Sequence, residues 1–450
     1  MPMTQAPATP KAARRRHDRE IVALAVPAFG ALVAEPLFVL ADSAIVGHLG
    51  TAQLAGLGVA SALLMTAVGV FVFLAYATTA AVARRVGAGD LRAAIRQGMD
   101  GIWLALLIGV AVIAVALPAA PSLMELFGAS DSAAPYATTY LRISVFGIPA
   151  MLVVLAATGI LRGLQDTKTP LYVAVGGFVA NAVLNVALVY GTGLGIAGSA
   201  WGTVIAQCGM AAVYLCVVIR GAREHGASLR PDTAGIRACA QAGTPLLVRT
   251  LSLRAILLIA TAVAARLGDA DMAAHQIVLS LWSLLAFALD AIAIAGQAII
   301  GRYLGADDAY GAREACRRMV QWGLVTGLVL GLLVIAARPL FLPLFSGDPG
   351  VRDAALPALV MVAVSQPVCG IVFVLDGVLM GAGDVGYLRT VTIGSALLGF
   401  LPLSLLALPL GWGLAGVWSG LTLFIVLRLV GVALRVAGDR WLRAPDTVTA

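Results

Sequence analysis

The segment Gly193-Leu-Gly-Ile-Ala-Gly198 returns as Gly411-Trp-Gly-Leu-Ala-Gly416, an offset of 218 residues (411 − 193 = 218) that organises the whole chain. The same offset relates further glycine, proline and aspartate residues: Pro27 and Pro245, Asp90 and Asp308, Pro149 and Pro367, Gly159 and Gly377, Asp166 and Asp384. Chance similarity between apolar segments would not keep these residue types in register over such a length. The second half of the chain therefore repeats the first.

The composition indicates a membrane protein. Hydrophobic residues make up 60% of the 450 positions and charged residues only 12%, whereas about a quarter of a soluble domain is charged. Apolar stretches long enough to span a bilayer are predicted near 21–46, 53–82, 98–118, 137–160, 170–190 and 195–219, and again one repeat later. An even number of spans gives both halves the same orientation. We therefore predict an all-α polytopic protein with about twelve transmembrane helices, in two six-helix lobes related by a parallel repeat.

The charges follow the predicted spans. Arginine clusters precede the first span and follow the even-numbered spans, as the positive-inside rule requires of cytoplasmic loops. Both termini are then cytoplasmic, and the net charge of +7 reflects membrane topology without implying a nucleic-acid partner. The five cysteines have no metal-ligand spacing, so no cofactor is predicted. Alanine- and arginine-rich usage suggests a bacterium, and hence a multi-pass protein of its plasma (inner) membrane.

The domain boundaries follow from the spans. We predict a disordered cytoplasmic N-terminus at 1–19, an N-lobe at 20–220, a cytoplasmic linker at 221–237, a C-lobe at 238–437 and a cytoplasmic tail at 438–450. Two like-oriented lobes suit alternating access, with a substrate held near the midplane of the bilayer. Because one chain contains both lobes, it can act as a monomer.

Polar residues within the spans break the repeat. Asp42 lies in the apolar run Pro36–Val46, where a carboxylate costs about 2.5–3.5 kcal/mol on insertion scales. Glu35 lies on the same helix face, and Asn181 and Asn185 share a face of the fifth span. If the faces meet, the amides can hydrogen-bond Asp42 and the group can hold a proton. The alternative is a neutral acid that only packs helices, with the asparagines as interhelical hydrogen bonds. The second half has Leu253, Ala260, Gly399 and Leu403 at these positions.

The second half carries its own ionisable residues within the spans: Arg249, Arg254, Asp290 and Asp376. A structural network of ion pairs is the favoured interpretation, and a cavity lining that binds substrate is the alternative. Gln297 shares a helix face with Asp290. His275 falls at the start of a span, which favours an interfacial position over a proton-binding one.

Catalytic patterns such as GxSxG, HExxH or a P-loop do not occur in the sequence. The chain is therefore not expected to be an enzyme. Without an ATP-binding motif, uphill transport would have to use an ion gradient.

Several motifs resemble one transporter family. Leu40–Gly50, Leu161–Pro170, Ala273–Gln276 and Gly301–Gly305 are similar to the DinF-like branch of the multidrug and toxic compound extrusion (MATE) family. The resemblance implies cation-coupled efflux of amphipathic, often cationic, organic compounds across the lipid bilayer. It also implies that Asp42 is the proton site and that Asn181 is the matching asparagine of the fifth helix.

Two departures from the family bear on the coupling ion. Asn185 stands where some relatives have a second aspartate, which weakens a two-carboxylate or sodium site in the N-lobe. The sodium-coupled NorM-like branch uses an acidic C-lobe cluster with a seventh-helix glutamate, whereas this chain has Leu253 beside Arg254. We therefore expect protons to drive transport, with sodium as the alternative. Further alternatives are a lipid or lipid-linked precursor flippase of the same superfamily and, from another class, a membrane enzyme or channel-like scaffold.

Overall fold

The computed structural model describes residues 10–128 and 130–443, and twelve helices in these residues are long and apolar enough to cross a membrane. The first six are α1 (Pro10–Gly47), α2 (Thr51–Gly87), α3 (Leu91–Leu126), α4 (Ala134–Gly163), α5 (Lys168–Gly191) and α6 (Ile196–Glu224). The second six are α7 (Thr233–Leu267), α8 (Asp269–Gly305), α9 (Ala309–Phe345), α10 (Pro349–Gly381), α11 (Val385–Leu406) and α12 (Gly413–Ala437). The predicted all-helical, twelve-span architecture is confirmed.

The helix ends refine the predicted boundaries. Helix α1 begins at Pro10, so the described part of the stretch expected to be disordered, residues 10–19, is helical. Residues 1–9 lie outside the described part of the chain. In the expected linker, α6 continues to Glu224 and α7 begins at Thr233, which leaves a loop of residues 225–232. Short polar segments therefore join helices that extend beyond the apolar windows of the sequence.

The described residues form two compact units. One unit is Gly30–Thr250, and the other contains the residues before Gly30 and after Thr250. Both α1 and α7 are therefore divided, each contributing its first part to one unit and its remainder to the other. We call Gly30–Thr250 the first unit and the remainder the second unit.

The start of α7 is held within the first unit by contacts with α3. Asp232 pairs with Arg96 at 2.9 Å, and Trp103 Nε1 donates to the Leu229 carbonyl at 3.1 Å. The backbone N–H of Ala234, a donor in the first turn of α7, lowers the pKa of Asp232, and Arg96 lowers it further. A short acidic cap and a neighbouring arginine thus fix the loop at the beginning of the helix.

Equivalent helices have equivalent central positions in the two units. In the first unit α4 packs against α2, α3 and α6, and α5 packs against α6. In the second unit α10 packs against α8, α9 and α12, and α11 packs against α12. The caps repeat as well, because Asp90 accepts from the Ala93 N–H at 2.8 Å and Asp308 accepts from the Gly311 N–H at 2.7 Å. The repeat found in the sequence is therefore a repeat of helix packing.

Glycines allow the central helices to approach their neighbours closely. A Cβ atom added at Gly159 of α4 would lie 3.1 Å from Ala75 Cα of α2. The equivalent atom at Gly377 of α10 would lie 2.8 Å from Ala293 Cα of α8, and Ala75 and Ala293 are also one repeat apart (293 − 75 = 218). Since lipid offers little hydrophobic drive for helix association, such small-residue contacts supply the van der Waals packing.

We predict that Gly377→Ala destabilises the second unit, because the new methyl group meets backbone atoms of α8. Overpacking of this kind costs about 1–3 kcal/mol. Thermal unfolding in detergent, followed by the loss of monodisperse protein, measures the effect. The matched control is Gly209→Ala in the middle of α6, where an added Cβ meets nothing within 4 Å. An unchanged unfolding temperature for Gly377→Ala would contradict the packing argument.

Candidate functional site

A buried polar cluster in the first unit is centred on Asp42. The side chain is 5% exposed, near the end of α1. The Tyr140 hydroxyl donates to Asp42 Oδ2 at 3.3 Å, and Thr203 Oγ1 donates to the same oxygen at 3.4 Å. Asn185 Nδ2 donates to the other oxygen, Oδ1. Four helices, α1, α4, α5 and α6, therefore meet at this carboxyl group.

The two asparagines of α5 connect the cluster internally. Asn185 Nδ2 also donates to Asn181 Oδ1 at 3.2 Å, and Asn181 Nδ2 donates to Thr203 Oγ1 at 3.0 Å. Both asparagines are fully buried. The structure thus brings together Asp42, Asn181 and Asn185, the three residues proposed from the sequence as proton-coupling residues.

The cluster lies at one depth, close to one end of the first unit. Asp42 is five residues before the end of α1 (47 − 42) and Asn185 six before the end of α5 (191 − 185). Tyr140 and Thr203 are six and seven residues after the starts of α4 and α6 (140 − 134 and 203 − 196). At the helical rise, these separations place the cluster roughly 8–10 Å below the helix ends.

Local backbone features fit the cluster. Gly202 of α6 faces Asn185, and a Cβ there would lie 3.1 Å from the Asn185 amide carbon. Only glycine allows α6 to approach the asparagine this closely. One turn of π-helix, Ala187–Gly191, begins two residues after Asn185 and ends α5, and π-turns within helices are frequent at functional sites.

The partners of Asp42 are all neutral among the residues that the structure describes. Three donors suit an acceptor-only carboxylate, yet none of these described partners carries a positive charge to offset it. Such a site can take up a proton or a cation, because burying an unpaired charge is costly. Asn185 Oδ1 has no hydrogen-bond partner within residues 10–128 and 130–443, so one acceptor is present beside the carboxyl group.

Four of the other predicted site residues lie in the second unit, and the remaining two are Glu35 and Arg249. The Glu35 side chain lies outside the described residues. Arg249 is buried in the first unit, whereas Arg254 in the second unit is exposed. Asp290 is half-buried and Gln297 is buried, both on α8 of the second unit. Asp376 is buried and forms an ion pair with Arg428 of α12.

The interfacial position expected for His275 stays a prediction, and the structure shows which helices surround the side chain. The side chain is fully buried within the second unit, because α7 and α12 cover the start of α8 at this level. Proximity to a helix end indicated depth along the helix. It carried no information about which face of α8 the neighbouring helices cover.

Several residues of these clusters were not found from the sequence. Tyr140 and Thr203 lie near the starts of their helices, and Ser199 lies one turn from Thr203 on the same face of α6. Arg428 lies deep within the last span, and its position there was the available signal. A buried arginine needs a carboxylate, and Asp290 and Asp376 were the candidates within the spans of the same half.

Comparison with known families agrees with the repeat and the helix packing. The MatE family model matches this chain twice, at residues 27–187 and at 245–405. The two matches are also displaced by 218 residues (245 − 27 = 218), which confirms the offset found in the sequence.

Individual relatives cover nearly the whole chain. The chain is 36% identical over 433 residues to Protein DETOXIFICATION 44, chloroplastic, of Arabidopsis thaliana, covering 93% of this chain and 82% of that protein. It is 28% identical over 423 residues to DNA damage-inducible protein F of Escherichia coli (strain K12), covering 92% and 91%. A crystal structure described as MATE in the bent conformation superposes with a TM-score of 0.86 at 22% identity, covering 94% and 96% of the two chains. With twelve apolar helices in its described residues, the chain belongs to the MATE family of multidrug and toxic compound efflux transporters, and it is not an enzyme.

Proposed function

We propose that this transporter exports amphipathic, cationic organic compounds in exchange for protons, and that Asp42 binds the proton. The observation that carries the proposal is a buried carboxyl group whose described partners, Tyr140, Asn185 and Thr203, are all neutral. Membership of a multidrug efflux family supports the class of cargo. The plasma membrane of a bacterium, with both termini in the cytoplasm, is part of the same proposal.

Proton binding would have to rearrange this cluster. Asp42 accepts from three donors, and a protonated carboxyl group would need an acceptor for its own hydrogen. Rotation of the Asn185 amide would offer the oxygen Oδ1 in place of the donating Nδ2. Because Asn185 lies on α5 and Asp42 on α1, such an exchange changes how the two helices contact each other.

This rearrangement gives a means of coupling. A proton and a drug drive exchange only if each stabilises a different conformation of the transporter. Protonation of Asp42 favours the conformation in which drug affinity falls, so the drug leaves on the outer side. Release of the proton to the cytoplasm restores the contacts of Asp42 with Asn185 and Thr203.

The second unit offers less for sodium coupling. Asp376 is its most deeply buried aspartate among the residues described, and the guanidinium of Arg428 already pairs with that carboxylate. A cation next to Asp376 would have to displace or approach an arginine. The alternative for sodium is the first unit, where the oxygens of Asn185 and Thr203 lie next to Asp42. Hard cations favour several oxygen ligands, including carboxylates.

We predict that Asp42→Asn abolishes proton-driven transport. Proteoliposomes containing the transporter in the inside-out orientation, with an acidic lumen, should accumulate ethidium, and the variant should not, because asparagine cannot release a proton. Asp131→Asn makes the same chemical change in the exposed loop before α4 and should transport like the unsubstituted protein.

The same vesicles distinguish the alternatives. Accumulation of ethidium by Asp42→Asn under a proton gradient would refute the proposal. Accumulation driven by a sodium gradient, and lost in the variant, would retain Asp42 but replace the coupling ion. Failure of the unsubstituted protein under both gradients, with intact folding, would point to a lipid or metabolite cargo.

We predict that Arg428→Met lowers the free energy of unfolding by about 3–5 kcal/mol, because a buried carboxylate loses its counter-charge. The double variant Asp376→Leu, Arg428→Met should recover most of this loss, since apolar replacement of a buried pair is often tolerated. Thermal unfolding in detergent tests both variants. Sodium-driven transport that disappears in the double variant but survives in Asp42→Asn would assign coupling to this pair instead.

A further inference from the structure

A second buried titratable group lies near the ends of α7, α8 and α12 in the second unit. His275 of α8 is fully buried, and its Nε2 lies 3.2 Å from Thr261 Oγ1 of α7. Its ring lies against Trp418 of α12, with centroids 5.8 Å apart and the planes tilted by 52°. His275 is six residues after the start of α8 (275 − 269), and Thr261 is six before the end of α7 (267 − 261).

The hydrogen bonds determine the tautomer of His275. Thr261 Oγ1 donates its only hydrogen to the Leu257 carbonyl, at 2.9 Å. The hydroxyl oxygen therefore accepts from His275, and the imidazole hydrogen is on Nε2. Nδ1 then carries a free lone pair, and it has no partner among the described residues.

The fold does not require a histidine and a tryptophan at positions 275 and 418. A buried polar atom without a partner costs about 1–3 kcal/mol, and the indole N–H of Trp418 is also without one in the part of the chain that the structure describes. At the equivalent positions of the first unit, one repeat earlier, the chain has Leu57 and Ala200, both buried. An apolar pair thus fills the same place in the same helix packing.

The two units are complementary in this respect. The first unit has Asp42 where the second has Ala260, and the second has His275 where the first has Leu57. Thr261, the partner of His275, directly follows Ala260. A buried titratable group therefore lies at the junction of each of these equivalent helix pairs, α1 with α2 and α7 with α8, and it is contributed by a different helix of the pair.

We propose that His275 binds a proton at Nδ1 and is the proton-binding group of the second unit, as Asp42 is of the first. This inference rests on proton coupling as the function proposed above. It makes His275 a second coupling residue, and export of one drug molecule then involves protons at both units.

The surroundings favour the neutral ring in this conformation. The charged groups near this end of α8 and of the helices packed with it are Asp269 and Asp271 of α8, Arg266 of α7, Arg338 of α9, and Arg352 and Asp353 of α10; α12 has none before Arg428. The first turns of α8 and α12 carry the positive ends of their helix dipoles, which oppose an imidazolium. Proton binding thus requires a change at this contact.

The hydrogen bond accepted by Asp271 is the contact that protonation of His275 would change. It lies one turn before His275 on α8, and its Oδ1 accepts from the Leu414 N–H of α12 at 3.2 Å. Leu414 is in turn one turn before Trp418, so α8 and α12 contact each other through two successive layers. A protonated His275 would need an acceptor at Nδ1, and Asp271 is the nearest carboxylate on its own helix. Protonation would therefore compete with the contact between α8 and the first turn of α12.

The first experiment detects the proton directly. The full-length transporter in lipid, with isotope-labelled histidine, has four histidine signals in solid-state NMR. At alkaline pH we expect His275 to show the neutral Nε2–H form, whereas His48 and His225 place Nδ1 against backbone carbonyls. Acidification should convert His275 to the doubly protonated form. The signal that disappears in His275→Gln belongs to His275. If His275→Gln does not fold, the variants His17→Gln, His48→Gln and His225→Gln assign the other three signals, and the remaining signal belongs to His275.

The second experiment measures linkage to drug binding. Ethidium affinity should rise with pH, because drug binding releases protons, and the slope of log affinity against pH counts them. We expect His275→Gln to lower this slope by up to about one proton and to leave the share of Asp42 intact. His48→Gln, an exposed histidine just beyond α1, is the matched control and should keep the full slope.

The outcomes separate this inference from the function on which it rests. A His275 signal that stays neutral down to pH ~5, well below the usual range for histidine, together with an unchanged slope in His275→Gln, would overturn it. Asp42→Asn would still test proton coupling in that case. Loss of transport in Asp42→Asn with a titrating His275 supports both proposals.

Discussion

A hydrocarbon bilayer offers no hydrogen-bond partners, and every element of this protein is subject to that constraint. The backbone satisfies it by forming twelve long helices in the described residues. Polar side chains within the spans satisfy it by meeting one another inside a unit, as Asp42 does with Asn185 and Asp376 does with Arg428. A polar residue that the bilayer penalises therefore identifies a place where helices must converge.

Close helix approach makes this convergence possible. Gly159 and Gly377 bring the central helices α4 and α10 against the backbones of α2 and α8, and Gly202 lets α6 reach Asn185. The repeat thus preserves the contacts that a membrane protein builds from small residues. With packing secured by glycine, the polar positions are free to differ between the two units.

That freedom gives the two units different chemistry on one scaffold. The first unit has a carboxylate with neutral donors, and the second has a buried imidazole beside an indole together with a separate ion pair. Groups that gain or lose a proton bias a conformational equilibrium only if their contacts differ between conformations. Asn185 and Asp271 are the residues whose hydrogen bonds would change, and both connect a titratable group to a neighbouring helix.

The sequence by itself determined the membrane class, the number of spans, the duplication and the presence of an acidic residue, Asp42, within a span, because hydropathy, a constant offset and a carboxylate in an apolar run are properties of the chain in one dimension. It also indicated that Asn181 and Asn185 share a face, since helical periodicity is local. Only the tertiary structure decided that Tyr140 and Thr203 complete the cluster, that Arg428 pairs with Asp376, and that His275 is buried. These facts depend on which helix faces touch, and contacts between residues far apart in the chain leave no periodic trace in a single sequence.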